Sequence, residues 1–256
     1  MAEAPAGADG GAVTDGEAAA AGTRTTSAPA TAGRDTSAGT RLLLACGIAG
    51  PVAFWGLGLL AMASWPGYDV VADSISGLVY APEGWLQVDA FVLLAVLTAA
   101  FAVGMGRVAG ATPADRARVR SALLVLAVIE LGFALFPTDA GHAGNAGNAG
   151  DAASLHGTAH MLVLGTFAIA FPILGFRIAA VLRCDPPWWR AGILTYAVSI
   201  VMAISIVGVA LVVAGPLDAW TGLLERVWVA VPSLWLAGLA VHGLLVSAGR
   251  FATTRP

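Results

Sequence analysis

The 256-residue chain carries little charge and no lysine. Only 11 % of its residues are charged and 58 % are hydrophobic, whereas a typical soluble domain has roughly 25 % charged residues. All 13 basic residues are arginine, and they form no dense block of the kind that binds nucleic acid. The net charge of -3 is too small to indicate a strongly acidic or basic partner. The composition argues against a water-soluble fold and against a nucleic-acid ligand.

Cysteine is scarce, and large apolar side chains are almost absent from the start of the chain. Cys46 and Cys184 provide no disulfide framework. Residues 1–40 consist mainly of Ala, Gly, Thr and Ser and cannot bury enough surface to offset chain entropy. The first long apolar run begins only at Leu42, so no cleavable signal peptide is expected. We predict that residues 1–40 are a disordered cytoplasmic tail.

Six apolar runs follow this tail, most of them long enough to cross a bilayer. A helix needs about 20 apolar residues to cross ~30 Å of hydrocarbon. The third run is short and spans only if the stems of Arg118 and Arg120 extend toward the headgroups. The runs are residues 42–63, 86–105, 121–136, 158–181, 191–214 and 227–246. They predict an all-α, six-span bundle over residues 41–249, with a short cytoplasmic tail at 250–256.

The arginines orient this bundle. Six spans place twelve of the 13 arginines on one side, which the positive-inside rule identifies as cytoplasmic. We therefore expect a plasma-membrane protein with both termini in the cytoplasm and with membrane lipids as partners. Arg226 alone falls on the outer side.

The first outer connection contains the sequence YDVVADSISG at residues 68–77. It places Asp73, Ser74 and Ser76 close together, which makes them candidate catalytic residues that would assist a hydrolysis. The alternative is a capped interfacial loop, because Ser and Asp at helix starts commonly accept backbone N–H groups.

The second outer connection opens with FPTD, which ends at Asp139, and closes with HGTAH. His156 and His160 are four residues apart and share one helix face. With Asp139, Asp73 or His142 as a further ligand they form a candidate zinc site. The intervening glutamate of zinc-protease helices is absent, and structural histidines bonded to carbonyl or carboxylate groups are the alternative.

The third connection ends in GLLERV, and the third span contains an acidic residue. Glu225 and Arg226 are adjacent and do not face each other on a helix. We expect Arg226 to pair with Glu130, which lies roughly 9 Å inside the outer end of its helix, or with Asp73 or Asp139. For Glu225 we expect His156 or His160 as the partner.

The chain resembles the bacterial and archaeal membrane proteins catalogued as domain of unknown function 998. The resemblance covers about residues 42–246 and depends on the order of four short motifs, which are YDVVADSISG, FPTD, HGTAH and GLLERV. It implies a six-span bundle without soluble catalytic domains, and it implies no activity.

Three functions fit these residues. The first is a membrane protein whose outer polar cluster of Glu130, Asp139, Glu225 and Arg226 binds lipid headgroups. The second is a zinc-dependent intramembrane hydrolase of lipid amides or esters, and the third is a transporter with Glu130 as its proton-coupling group.

Overall fold

The computed structural model describes residues 35, 37–140, 154–213, 215 and 217–250. Within these residues the regular structure is entirely helical, as expected. Most of the proposed disordered tail, the distal part of the C-terminal tail and the candidate ligand His142 lie outside the described residues. The long helices are α1 (Ala38–Ala63), α2 (Trp85–Val108), α3 (Pro113–Leu135), α4 (Leu155–Arg183), α5 (Trp189–Val213) and α6 (Thr221–Ser247). Short 3₁₀ helices are Ser76–Tyr80, Pro186–Trp188 and Asp218–Trp220.

Every predicted apolar run is a helix, and the helices begin earlier than the runs do. The side chains of Ser37, Thr112 and Ser154 cap α1, α3 and α4 by accepting backbone N–H groups of the first turn. α6 begins at Thr221, six residues before the hydropathy signal. A charged first turn ends an apolar run but does not end a helix, because its polar side chains point into the connection. Prolines inside the helices are Pro51, Pro172 and Pro232.

The six helices form a closed ring in which each contacts the next and α6 contacts α1. One end of the ring, which we call the basic end, is joined by a bond from Arg41 Nη2 to the Ser247 carbonyl at 3.4 Å. A second bond there runs from the Gly110 backbone N–H to the Asp185 carboxylate at 3.1 Å. The other end, the loop end, contains the connections after α1, α3 and α5. Consecutive helices therefore run in opposite directions.

The outer surface of the ring is apolar. Leu162, Ile204 and Leu234 are 68 %, 67 % and 73 % exposed, and apolar exposure on this scale indicates a membrane or protein contact. Five helices, α1, α2, α4, α5 and α6, are long and apolar enough to cross a membrane. α3 is not among them, because even its most apolar stretch contains Arg118, Arg120 and Glu130. The chain is a multi-pass membrane protein.

Candidate functional site

At the loop end, the connection after α1 packs against the first turns of α6; we call this assembly of residues 65–84 and 221–226 the clasp. The Glu225 carboxylate is the hydrogen-bond acceptor of the clasp. The carboxylate receives the backbone N–H of Ile75 at 2.6 Å and of Ser76 at 3.4 Å. These N–H groups stand at the start of a 3₁₀ helix, where no earlier carbonyl is available to them. Glu225 therefore fixes the loop to α6.

Arg226 supplies the donors of the clasp. Its Nη1 donates to the carbonyls of Val70, Asp73 and Gly222 at 2.8, 3.0 and 2.8 Å. Nη2 donates to the Tyr68 hydroxyl at 2.6 Å, and the guanidinium lies 5.3 Å from the centre of that ring. The connection after α1 thus provides Arg226, the one described arginine at the loop end, with neutral hydrogen-bond acceptors and an aromatic ring face.

Two expected pairings are wrong. Among the described residues Arg226 forms no ion pair with Glu130, because the first turn of α6 directs the guanidinium toward the loop carbonyls. Asp73 contributes to Arg226 through its carbonyl and not its carboxylate. Glu225 binds backbone N–H groups instead of His156 or His160.

Tyr68 is the centre of the clasp. Its hydroxyl is within 3.0 Å of the Asp73 carbonyl and 2.7 Å of the Ser74 carbonyl, to which it donates. Burial raises the pKa of Tyr68 from 10.0 to about 12, and the Arg226 guanidinium opposes this only in part. The phenol is therefore neutral at ordinary pH and acts as a donor.

Asp73, Ser74 and Ser76 make local hydrogen bonds within the loop, of the kind that the capped-loop alternative expects. The Ser74 hydroxyl oxygen accepts the backbone N–H of Gly77 at 3.0 Å and lies 3.4 Å from the Ser76 hydroxyl. The Asp73 carboxylate accepts the backbone N–H of Asp69 at 2.7 Å. These side chains complete turns, and this local use provides no support for a nucleophile paired with a base.

Asp139 and the two histidines join α3 to α4. The Asp139 carboxylate accepts the backbone N–H of Ser154 at 2.9 Å and also the Ser154 hydroxyl. His160 is buried and its Nδ1 donates to the Phe136 carbonyl at 2.8 Å. His156 is exposed, with its ring 6.4 Å from that of Phe136. In the described part of the chain no three His, Cys, Asp or Glu side chains are grouped to hold a metal ion.

The four motifs contact one another in two pairs. YDVVADSISG binds GLLERV through the clasp, and FPTD binds HGTAH through the bond from His160 to the Phe136 carbonyl, while Asp139 of FPTD binds Ser154, two residues before HGTAH. One further bond, from the Tyr80 hydroxyl to the Thr138 carbonyl at 2.5 Å, joins the pairs. Sequence analysis did not identify Tyr80, because a tyrosine near a helix end is equally typical of an interfacial anchor.

A cavity lies inside the ring directly beneath the clasp. It extends along α6 from Glu225 to Leu236, a rise of about 16 Å at 1.5 Å per residue. Its space for the centres of water-sized molecules is about 60 Å³, several times what a single water needs. Most of the wall is apolar, and the polar lining residues are Ser76, Thr98, Glu130, Glu225 and Ser233.

Glu130 and Thr98 are the polar groups of this cavity whose bonding is incomplete. Glu130 Oε2 and Thr98 Oγ1 are both enclosed; the Thr98 hydroxyl interacts with the Glu130 carboxyl, and neither atom makes a well-formed hydrogen bond within the described residues. Glu130 and Glu225 both line the cavity, whereas Asp139, His156, His160 and Arg226 are not among its lining residues. Sequence analysis missed Thr98, because a threonine in an apolar helix commonly bonds to its own backbone.

Comparison with known proteins identifies a matching family model. Nothing among curated proteins or among solved structures matches this chain. A family model described as "Protein of unknown function (DUF998)" matches residues 48–242, which include all or most of each of the six helices. The chain belongs to this DUF998 family.

Proposed function

We propose that this chain is a six-span plasma-membrane protein, with both termini in the cytoplasm, that binds an amphipathic membrane molecule in the cavity beneath the clasp. The observation that carries the proposal is a largely apolar cavity that contains two carboxyl groups. Cavities of this kind, with apolar walls and few polar groups, are typical of ligand sites.

The distribution of arginine supports the orientation. Among the described residues, nine arginines lie at or near the basic end of the ring and one lies at the loop end, where the clasp supplies its hydrogen-bond partners. α3 has 23 residues, a length of about 34 Å, and the arginines of its first turns can reach the headgroup region. The nine are Arg41, Arg107, Arg116, Arg118, Arg120, Arg177, Arg183, Arg190 and Arg250.

Cysteine labelling in intact cells tests the orientation. In a background with Cys46→Ala and Cys184→Ala, Glu83→Cys reports the loop end and Arg190→Cys reports the basic end. We expect a membrane-impermeant maleimide to label Glu83→Cys in intact cells and Arg190→Cys only after permeabilisation. Labelling of Arg190→Cys in intact cells would contradict the proposed orientation.

Because of the clasp, we expect a polar headgroup to bind inside the ring and not at its outer surface. Glu225 and Arg226 are engaged by the loop, so they are poorly available to a lipid at the surface. Glu130 lies in the cavity wall instead. A molecule with a polar head near Glu130 and an apolar body along α6 would match both the polar groups and the apolar walls.

A matched pair of substitutions in α4 tests ligand binding. Leu164 lines the cavity, whereas Leu162 is 68 % exposed on the outer surface. We expect Leu164→Phe to reduce the lipid retained by protein purified in nanodiscs, measured by native mass spectrometry, and Leu162→Phe to leave it unchanged. Equal lipid retention by both variants and the unmodified protein would refute the cavity as the binding site.

Proton-coupled transport is the second candidate, because the Glu130 carboxyl is enclosed in the cavity wall beside Thr98 and intramembrane carboxyls commonly serve proton relays. Its test is a flux in proteoliposomes that depends on a pH gradient and is lost in Glu130→Gln. A flux that survives this substitution would exclude Glu130 as the coupling group.

A further inference from the structure

The chemistry of the cavity wall also indicates the class of ligand, an inference that rests on the proposed function. We propose that the cavity binds an organic ammonium group attached to an apolar body, with Glu130 as its counter-charge and Thr98 as an additional acceptor.

The charge of the wall selects a cation. The lining residues include two glutamates and, among the described residues, no arginine, lysine or histidine. The Glu225 carboxylate already accepts two backbone N–H groups, whereas Glu130 Oε2 accepts none. A carboxylate in an apolar interior requires a partner of opposite charge. An ammonium donor supplies that charge and fills the missing hydrogen bond.

Thr98 adds a second polar group beside Glu130. It is 1 % exposed, and its hydroxyl interacts with the Glu130 carboxyl without a well-formed hydrogen bond among the described residues. Four other helical hydroxyls donate to the carbonyl four residues earlier, those of Thr166, Thr195, Ser199 and Ser233. The Thr98 side chain departs from this pattern and lies in the cavity wall. Its oxygen is therefore available to a donor inside the cavity.

The aromatic walls favour the same ligand. Seven Phe and Trp rings line the cavity, and several are in mutual contact. The Phe133 and Phe167 ring centres are 6.2 Å apart, and those of Phe167 and Trp228 are 5.3 Å apart. Aromatic faces attract ammonium groups and also pack against alkyl chains. A neutral or anionic headgroup would gain no such attraction beside two carboxyl groups.

The test compares three probes of equal chain length, decylammonium, decanol and decanoate, in nanodiscs of phosphatidylglycerol, a lipid without an ammonium group. Binding is measured as ligand-induced thermal stabilisation and as bound mass. We expect decylammonium to bind most tightly. Glu130→Gln should weaken it by roughly tenfold to a hundredfold, the loss of a charge-assisted bond. Thr98→Val should weaken it less. Glu83→Gln makes the same change at an exposed loop position and should have no effect.

The outcomes separate this inference from the proposed function. If decanol binds as tightly as decylammonium and Leu164→Phe weakens both, the cavity binds amphiphiles but the ammonium assignment is wrong. If none of the three probes binds and Leu164→Phe retains normal lipid, the proposed function itself fails. Replacing phosphatidylglycerol with phosphatidylethanolamine identifies the source of the cation. Competition with decylammonium indicates a lipid headgroup, and unchanged affinity indicates a free lipophilic amine.

Discussion

Substitution of Gly222 by alanine probes the clasp with the least chemical change. A Cβ at this position would overlap the Asp73 carbonyl oxygen and lie 2.8 Å from both the Val70 carbonyl oxygen and Arg226 Nη1. Two of these neighbours are backbone atoms, so the loop must move away from α6 to admit the methyl group. Gly222→Ala therefore separates the loop from the helix without removing any polar group.

The size of the effect follows from the bonds that such a movement weakens. They are the bond from Leu223 N–H to the Val71 carbonyl at 3.0 Å and the bonds from Arg226 to Val70 and Asp73. A neutral bond contributes about 1 kcal/mol and a bond to a charged group about 1.5–3 kcal/mol. Because water can replace part of this loss at the exposed loop, we expect a cost of about 2–4 kcal/mol. The gain in helix propensity from Gly to Ala, about 1 kcal/mol, offsets only part of it.

Gly238 in the same helix is the control, since a Cβ there meets nothing within 4 Å. Unfolding in mixed micelles, followed by circular dichroism, should show Gly222→Ala less stable than the unmodified protein and Gly238→Ala equally or more stable. Hydrogen exchange should increase at residues 68–77 only in Gly222→Ala. If both variants unfold alike and the loop exchanges at its original rate, the clasp does not hold the loop.

Three further predictions concern the loop end. Glu225→Gln keeps a neutral acceptor, so stability in the same unfolding assay should fall by about 1 kcal/mol. Glu225→Ala keeps no acceptor and should cost about 2–3 kcal/mol. Equal stability of the two variants would contradict the role of Glu225 as an acceptor. Asp139→Ala should cost about 1 kcal/mol, as loss of a capping acceptor does, with faster hydrogen exchange confined to the start of α4; exchange spread over other helices would be inconsistent with a local cap. The raised pKa of Tyr68 means that folding favours its neutral form, so this stabilisation is complete below pH 10.0 and is lost as pH rises through about 12. Titration of phenolate absorbance should show this late ionisation and its absence in Tyr68→Phe.

The helices were predictable from sequence, but the partners of their polar residues were not. Apolar runs identified α1 to α6 because a span must bury its backbone polar groups within a helix wherever it crosses lipid. For Asp73 to Ser76, capping chemistry indicated local loop bonds only as one of two alternatives. Hydropathy predicted the start of α6 six residues too late. Glu225 and Arg226 interrupt the apolar run, but they belong to the helix and their side chains bond to the loop after α1.

The sequence by itself determined that the chain enters a membrane and which end of the bundle carries its arginines, because both follow from local composition and from the cost of placing charge in lipid. Tertiary structure decided what Glu130, Glu225 and Arg226 do. The loop partners of Glu225 and Arg226 lie 149 to 158 residues away in sequence, and Glu130 meets Thr98 of another helix in the cavity wall. Packing of the helix ring joins Arg226 to the clasp and leaves Glu130 beside Thr98 in the cavity, and this arrangement follows from which helix faces meet.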